Sequence, residues 1–175
     1  MRVAVFTDND FDKINGVTTA LSAVIRYAPP DLSPRIYTVS ALGTDHPDYL
    51  AIASAGMPIP YYRGMRIYWP PWRRFIDRAR SDGVQVIHLT TPGPMGLAAV
   101  WAARRTALPL VGSFHTDIAA YAATLSGSPR LGQWMRAYLK WLYGQCQAVL
   151  VPSEHTRTLL LEQGARPEQL RVWTR

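Results

Sequence analysis

Four short stretches of this 175-residue chain gather side chains that could do chemistry, and each begins where an apolar run ends. The first, Thr7-Asp8-Asn9-Asp10-Phe11-Asp12-Lys13-Ile14-Asn15-Gly16-Val17, holds three aspartates. It lacks the G-x-G-x-x-G spacing of a dinucleotide loop, and its carboxylates would repel a pyrophosphate. Asn15-Gly16 nevertheless stands directly before a helical run. Unpaired N–H groups and the helix dipole favour an anion there, and a glycine lets it approach the backbone. An ordinary glycine-containing helix start would look the same. The second stretch, His88-Leu89-Thr90-Thr91-Pro92-Gly93-Pro94-Met95-Gly96, is a Pro/Gly-rich turn entering a helix. Its hydroxyls could bind a polar substrate or cap that helix. The third, Ser113-Phe114-His115-Thr116-Asp117, puts His115 at the end of a buried run. Ser, His and Asp this close in one segment cannot converge as nucleophile, base and orienter, and no G-x-S-x-G elbow exists. A metal site on His115 and Asp117 lacks an obvious third ligand, and a histidine hydrogen-bonded at a strand end is the plain alternative. The fourth is Pro152-Ser153, ahead of the last helix.

These stretches need elements to position them. Val3–Phe6 reads as a buried strand and Val17–Tyr27 as a helix; Arg35–Val39 is a second strand. A Pro/Gly/Asp-rich connector from Leu42 to Pro60 shows few periodic features, and Ile59–Tyr68 is ambiguous strand material. A helix over Trp72–Ser81 stops at Asp82-Gly83, before a strong strand, Val84–Leu89. The spacing then predicts a helix over Met95–Thr106, a strand at Leu110–Phe114, a loop over His115–Thr124 and a helix over Leu131–Tyr143. A strand at Ala148–Val151 follows, then a helix capped by Ser153 that stops at Gly164, and a short strand at Leu170–Trp173. Val/Ile/Leu-rich strands alternating with long helices imply an α/β fold: a Rossmann-like, doubly wound, mainly parallel sheet of six or more strands with helices on both faces. Ligands of such sheets bind at the carboxyl ends of the strands, in a crevice expected near Gly16, Thr91 and His115.

Composition narrows the function class. Hydrophobic residues make up 48% and charged residues 18%, too apolar a balance for a disordered chain. One cysteine, Cys146, excludes an internal disulfide and a thiolate metal cluster. The N-terminal run meets an acid after six or seven residues, unlike a signal peptide, and no apolar run approaches the roughly 18 residues of a membrane span. A cytoplasmic protein, soluble or peripherally attached, is expected.

The formal net charge is +7, and only Lys13 and Lys140 are lysines. Arg63, Arg66, Arg73, Arg74, Arg78 and Arg80 interleave with Tyr61, Tyr62, Tyr68, Trp69 and Trp72. A second basic-aromatic run carries Arg130, Trp134, Arg136, Tyr138, Lys140 and Trp141. Arginines with interfacial aromatics suit an anionic lipid surface, with Arg73, Arg74 and Arg78 as its contacts; solvated arginines over inward-packed aromatics are the alternative. No nucleic-acid-binding motif is visible. Glu154 and Glu162, with seven residues between them, lie on one face of the last helix and read as solvated charges.

Taken in order, Phe6-Thr7-Asp8 with Ile14-Asn15-Gly16-Val17-Thr18-Thr19-Ala20-Leu21, Val86-Ile87-His88-Leu89 with Thr91-Pro92-Gly93-Pro94-Met95-Gly96, Ser113-Phe114-His115-Thr116-Asp117, and Val151-Pro152-Ser153-Glu154-His155-Thr156 resemble the N-terminal domain of retaining GT-B glycosyltransferases of family 4. The likeness is to the subgroup that transfers mannosyl, glucosyl or sulfoquinovosyl groups. It implies a nucleotide-diphosphate sugar as donor, a lipid or glycan acceptor, retention at the transferred carbon and no bound metal. It implies donor-phosphate contacts at Gly16 and Asn15, a donor-sugar contact at His115, and acceptor-side roles for Asp8 and Thr91. Residues 1–175 would then form a single acceptor-side domain. The nucleotide pocket and the E-x7-E motif would belong to a second domain outside this chain, and Glu154 and Glu162 match that spacing on the wrong element. A non-catalytic Rossmann-like binding or assembly module is the rival reading.

Overall fold

A computed structural model describes residues 1–9, 16–58 and 66–173. The chain divides into two compact units, Met1–Leu110 and Val111–Arg175.

The first unit runs β1 (Arg2–Phe6), α1 (Gly16–Arg26), β2 (Ser33–Ser40), β3 (Thr44–Asp45), β4 (Tyr49–Ala53), β5 (Gly56–Pro58), β6 (Arg66–Tyr68), α2 (Trp72–Ser81), β7 (Val86–Leu89) and α3 (Pro94–Thr106). Its main sheet has the order β7-β1-β2-β4-β3. β1 pairs in parallel with β2 and β7, β2 pairs in parallel with β4, and only the two-residue β3 is antiparallel. Alternate residues of a strand face opposite sides, and both sides are covered. Val3, Val5 and Ile36 form one core with Leu21 of α1. Phe6 and Tyr37 turn the other way, stacked at 5.3 Å, with Phe75 of α2 at 5.6 Å from Phe6. Helices therefore lie on both faces, as the doubly wound reading expects.

The connector from Leu42 to Pro60 is not featureless. It carries β3, β4 and β5, and in β4 Leu50, Ala51 and Ile52 are all buried. Three consecutive buried residues give neither a period of 2 nor of 3.6, so their strand is hidden among the surrounding prolines and aspartates. α2 and the stop behind it match the sequence: Phe75, Ile76 and Ala79 form the buried stripe, and Gly83 turns at φ +60°.

The second unit runs β8 (Leu110–Ser113), α4 (Ile118–Ser126), α5 (Pro129–Tyr143), β9 (Ala148–Val151), α6 (Glu154–Glu162), a 3-10 turn (Pro167–Gln169) and β10 (Leu170–Val172). Its strands are parallel in the order β8-β9-β10. The stretch expected as a loop to Thr124 is mostly α4. Its Ala-rich run carries little amphipathic signal, but Asp117 caps it by accepting the Ala120 N–H at 2.9 Å. α4 and α5 form a tight hairpin in which a Cβ on Gly132 would lie 2.8 Å from that of Ala123. Ser128 and Ser153 cap α5 and α6.

Candidate functional site

In the first unit the strand order changes direction at β1: β2 and β4 lie on one side and β7 on the other. Open α/β sheets bind ligands at such a switch point, beyond the carboxyl ends of the strands. Two loops leave there, one after β1 and one after β7, and Asp8 ties them together. Its backbone N–H donates to Thr91 Oγ1 at 2.7 Å. Its Oδ2 accepts from the Thr91 hydroxyl at 2.5 Å and from the Gly93 N–H at 3.0 Å, and its Oδ1 accepts from the Met95 N–H at 2.8 Å.

Asp8 therefore caps α3 from another strand. The helix needs this, because its own N-cap residue is Gly93, which has no side chain to offer, and Pro94 follows at the first helical position. Gly93 is small for a matching reason: a Cβ there would lie 2.5 Å from Asp8 Oδ2. A Cβ on Gly96 would run into the Thr91 carbonyl oxygen. The Pro-Gly-Pro-Met-Gly run is thus shaped by its approach to Asp8 and Thr91. Burial pushes the Asp8 carboxyl above its ordinary range, against the Thr91 hydroxyl and the Met95 and Gly93 amides, which favour the ionised form. The family resemblance gave Asp8 and Thr91 acceptor-side roles without this bond between them. The signal available was an acid after β1 and a helix start with no capping side chain.

The loop bases are held as firmly. Thr7 donates its N–H to the Tyr37 carbonyl at 3.1 Å, and Thr90 donates N–H and hydroxyl to the Phe6 carbonyl at 3.0 and 2.9 Å. Thr38 Oγ1 donates to the Asn9 carbonyl at 2.8 Å. Gly16 opens α1 and is exposed, and no atom of the described residues lies within 4 Å of where a Cβ would stand. Asn15 lies outside the described residues. In the second unit His115 is half-buried two residues beyond β8, and the preceding Phe114 N–H donates to the Leu150 carbonyl at 2.8 Å. Asp117, its sequence neighbour, caps α4. Among the described residues, no group of three or more His, Cys, Asp or Glu side chains is placed to hold a metal ion.

On α2, Arg73 and Arg74 are exposed, beside the exposed Trp69, which stacks on Trp72 at 6.1 Å. Arg78 is committed elsewhere. It reaches Asp45 at 3.2 Å and Asp82 at 3.5 Å, in a network where Asp82 also accepts from Arg35 and the Tyr37 hydroxyl, both at 2.6 Å. Burial opposes ionisation of Asp82, but the Tyr37 hydroxyl and the Arg35 guanidinium outweigh it and hold the carboxyl below its ordinary range. Arg63, Tyr61 and Tyr62 lie outside the described residues. Glu154 and Glu162 are exposed, and Glu154 pairs with Arg157 at 3.3 Å. No helix of the described residues is long and apolar enough to cross a membrane.

The family model described as Glycosyltransferase Family 4 matches residues 14–175. The chain is 24% identical to the alpha-monoglucosyldiacylglycerol synthase of Streptococcus pneumoniae (strain ATCC BAA-255 / R6), over 97% of this chain and 39% of that protein. It is 27% identical to the sulfoquinovosyl transferase SQD2 of Arabidopsis thaliana, over 99% of this chain and 35% of that one. The chain thus spans somewhat over a third of the length of these relatives. Among solved structures it is similar to Anabaena Alr3699/HepE in complex with UDP-glucose, at a TM-score of 0.63 and 14% identity, covering 99% of this chain and 43% of that one. That likeness is one of fold.

Proposed function

Because the chain belongs to glycosyltransferase family 4, we propose that it forms the acceptor-side part of an enzyme that moves a sugar, with retention, from a nucleotide-diphosphate sugar to a lipid or glycan. The names of the relatives support this class: one makes a glucosylated diacylglycerol and another transfers sulfoquinovose. The observation that carries it to particular residues is the switch-point junction, where Asp8 fastens the β1 loop to the start of α3 while Gly16 stays open.

In this reading the exposed N-terminus of α1, at Gly16 and Asn15, meets the donor's diphosphate, which its amides and dipole favour. His115 contacts the transferred sugar, where a polar group beside developing charge acts mainly in the transition state. Asp8 and Thr91 shape the acceptor side by fixing two loops, because the Asp8 carboxylate already faces three donors. No metal takes part. Arg73 and Arg74, with Trp69, face an anionic membrane from the cytoplasmic side, and Arg78 stays with its aspartates.

Sugar transfer, assayed with a panel of nucleotide-diphosphate sugars and with diacylglycerol and glycan acceptors in a chain of the relatives' full length, tests this. Gly16→Val should weaken donor use at least tenfold with the melting temperature kept, since its Cβ meets nothing among the described residues. His115→Ala should lower kcat more than it raises KM. Full activity in both variants would refute the assignment. Residues 1–175 alone should fold without turning over, because positioning the donor supplies several kcal/mol of the barrier. Salt-sensitive co-sedimentation with anionic liposomes, lost in Arg73→Ser/Arg74→Ser, tests the membrane face.

A further inference from the structure

In the second unit a cleft of about 560 Å³ opens between α5 and α6. Its walls are Phe114, Leu139, Tyr143, Val149, Leu160 and Leu170. The Tyr143 hydroxyl is turned away, donating to the Ser113 carbonyl at 3.1 Å, so its ring presents an apolar surface. Arg136, Lys140 and Arg166 line the cleft, and among the described residues no aspartate or glutamate does.

Two of these cations are uncommitted. Arg166 is held by the Gly144 carbonyl at 3.0 Å and by Gln169 Oε1 at 3.0 Å, where it closes the end of α5. Arg136 and Lys140 pair with no carboxylate among the described residues. Lys140 Nζ sits over Gly164, where a Cβ would lie 2.6 Å away, so the glycine leaves the ammonium its seat at the rim.

We propose that this cleft holds a single-chain anionic lipid, its acyl chain along the apolar wall and its charged head between Arg136 and Lys140. Its volume falls in the range of small-molecule sites, roughly 300–1,000 Å³. A two-turn helix 10–12 Å across would need on the order of 1,000 Å³, which disfavours a polypeptide occupant. An apolar trough ending in paired cations without a counter-charge is complementary to an amphiphile with a negative head, and repels one with a positive head. None of its lining residues belongs to the Asp8–Thr91 junction, and it does not depend on the transfer reaction.

The test is calorimetric titration of the 175-residue chain, below micelle formation, with ligands that share a chain and differ in head: dodecanoate, dodecanol and dodecylammonium, with octanoate as the shorter acid. Dodecanoate should bind one per chain, at least tenfold more tightly than the other three. Lys140→Glu with Arg136→Glu should weaken it at least tenfold, and Ala137→Phe, which narrows the rim, should also weaken it. All three positions are exposed on α5, and unchanged melting temperatures will show that the variants fold. No binding of dodecanoate, equal binding of dodecanol, or affinity indifferent to these changes would overturn the proposal. So would a sedimentation mass that doubles with concentration and reverts in Lys140→Glu, because the occupant would then be a second copy of the chain.

Discussion

Replacing Asp8 by Ala should loosen the start of α3 and release the β1 loop from it. The carboxyl group accepts from two backbone amides, Gly93 and Met95, and from the Thr91 hydroxyl. Without it these donors lose their partner, and Met95 is fully buried. An unsatisfied buried donor costs about 1–3 kcal/mol, and loss of a helix cap about 0.5–2. Water can reach the half-buried Gly93, so the net loss should be about 3 kcal/mol, or roughly 6–12 °C in Tm at this chain length. Asp8→Asn keeps one acceptor and should lose less. Its dependence on pH carries the sharper test. Burial raises the folded pKa of Asp8 above the ordinary 3.8, so the group stabilises most below that value. Its contribution declines as pH rises through the folded pKa. Asn does not titrate. The stability difference between the parent chain and Asp8→Asn, measured by urea unfolding, should therefore shrink from pH 4 towards pH 7. Hydrogen exchange at the Gly93, Met95, Gly96 and Leu97 amides reports the helix start directly, and should speed up in Asp8→Ala with α5 unchanged. A difference that grows with pH would mean that the amides and helix dipole outweigh burial, and would refute the sign argued here.

Three other outcomes are expected. Gly93→Ala should destabilise by about 2 kcal/mol, since its Cβ would stand 2.5 Å from Asp8 Oδ2; combined with Asp8→Ala the loss should be less than additive, which a double-mutant cycle measures. Asp82→Asn should cost about 1 kcal/mol for a partly exposed network, with the opposite pH course. The folded pKa of Asp82 lies below 3.8, so its stabilisation is present above that value and disappears as pH falls through the folded pKa; acid unfolding curves of the two proteins should converge. Burial pushes the Cys146 thiol up to about 12, so a thiol reagent at pH 8 should label it only as the second unit opens; rapid labelling of the native chain would contradict its burial.

Much of the fold could be read from the residues because local signals agreed with the tertiary outcome. Ser153 caps α6, Gly83 and Gly164 adopt positive φ behind their helices, and Trp72–Ser81 is a helix with the stripe its sequence implies. What escaped was decided at a distance. β4 has no period of its own and exists because β2 offers a parallel edge. α4 is apolar nearly all round and so shows no face, and its packing rests on Gly132 of the following helix. The capping of α3 by Asp8 joins residues 83 or more positions apart, which no local window contains. Arg78 stands in an arginine run suggestive of a lipid surface, yet Asp45 of β3, 33 positions away, claims it together with Asp82 at the end of its own helix.

The placing of β1 between β2 and β7 has a consequence in time. Val3 meets Pro34 on one side and Val86 on the other, so of these three strands the one made first is the middle one. At about 5–20 residues per second, its β7 edge waits roughly 4–17 s for a partner after synthesis. Until then Val3, Val5 and Phe6 border an open strand edge of the kind that recruits strands from other chains. Asp8 and Thr91 can close their junction only once that interval ends. Crowded polysomes, slow codons before Val86 or a lack of holding chaperones should therefore lower the yield of soluble protein without altering the native state.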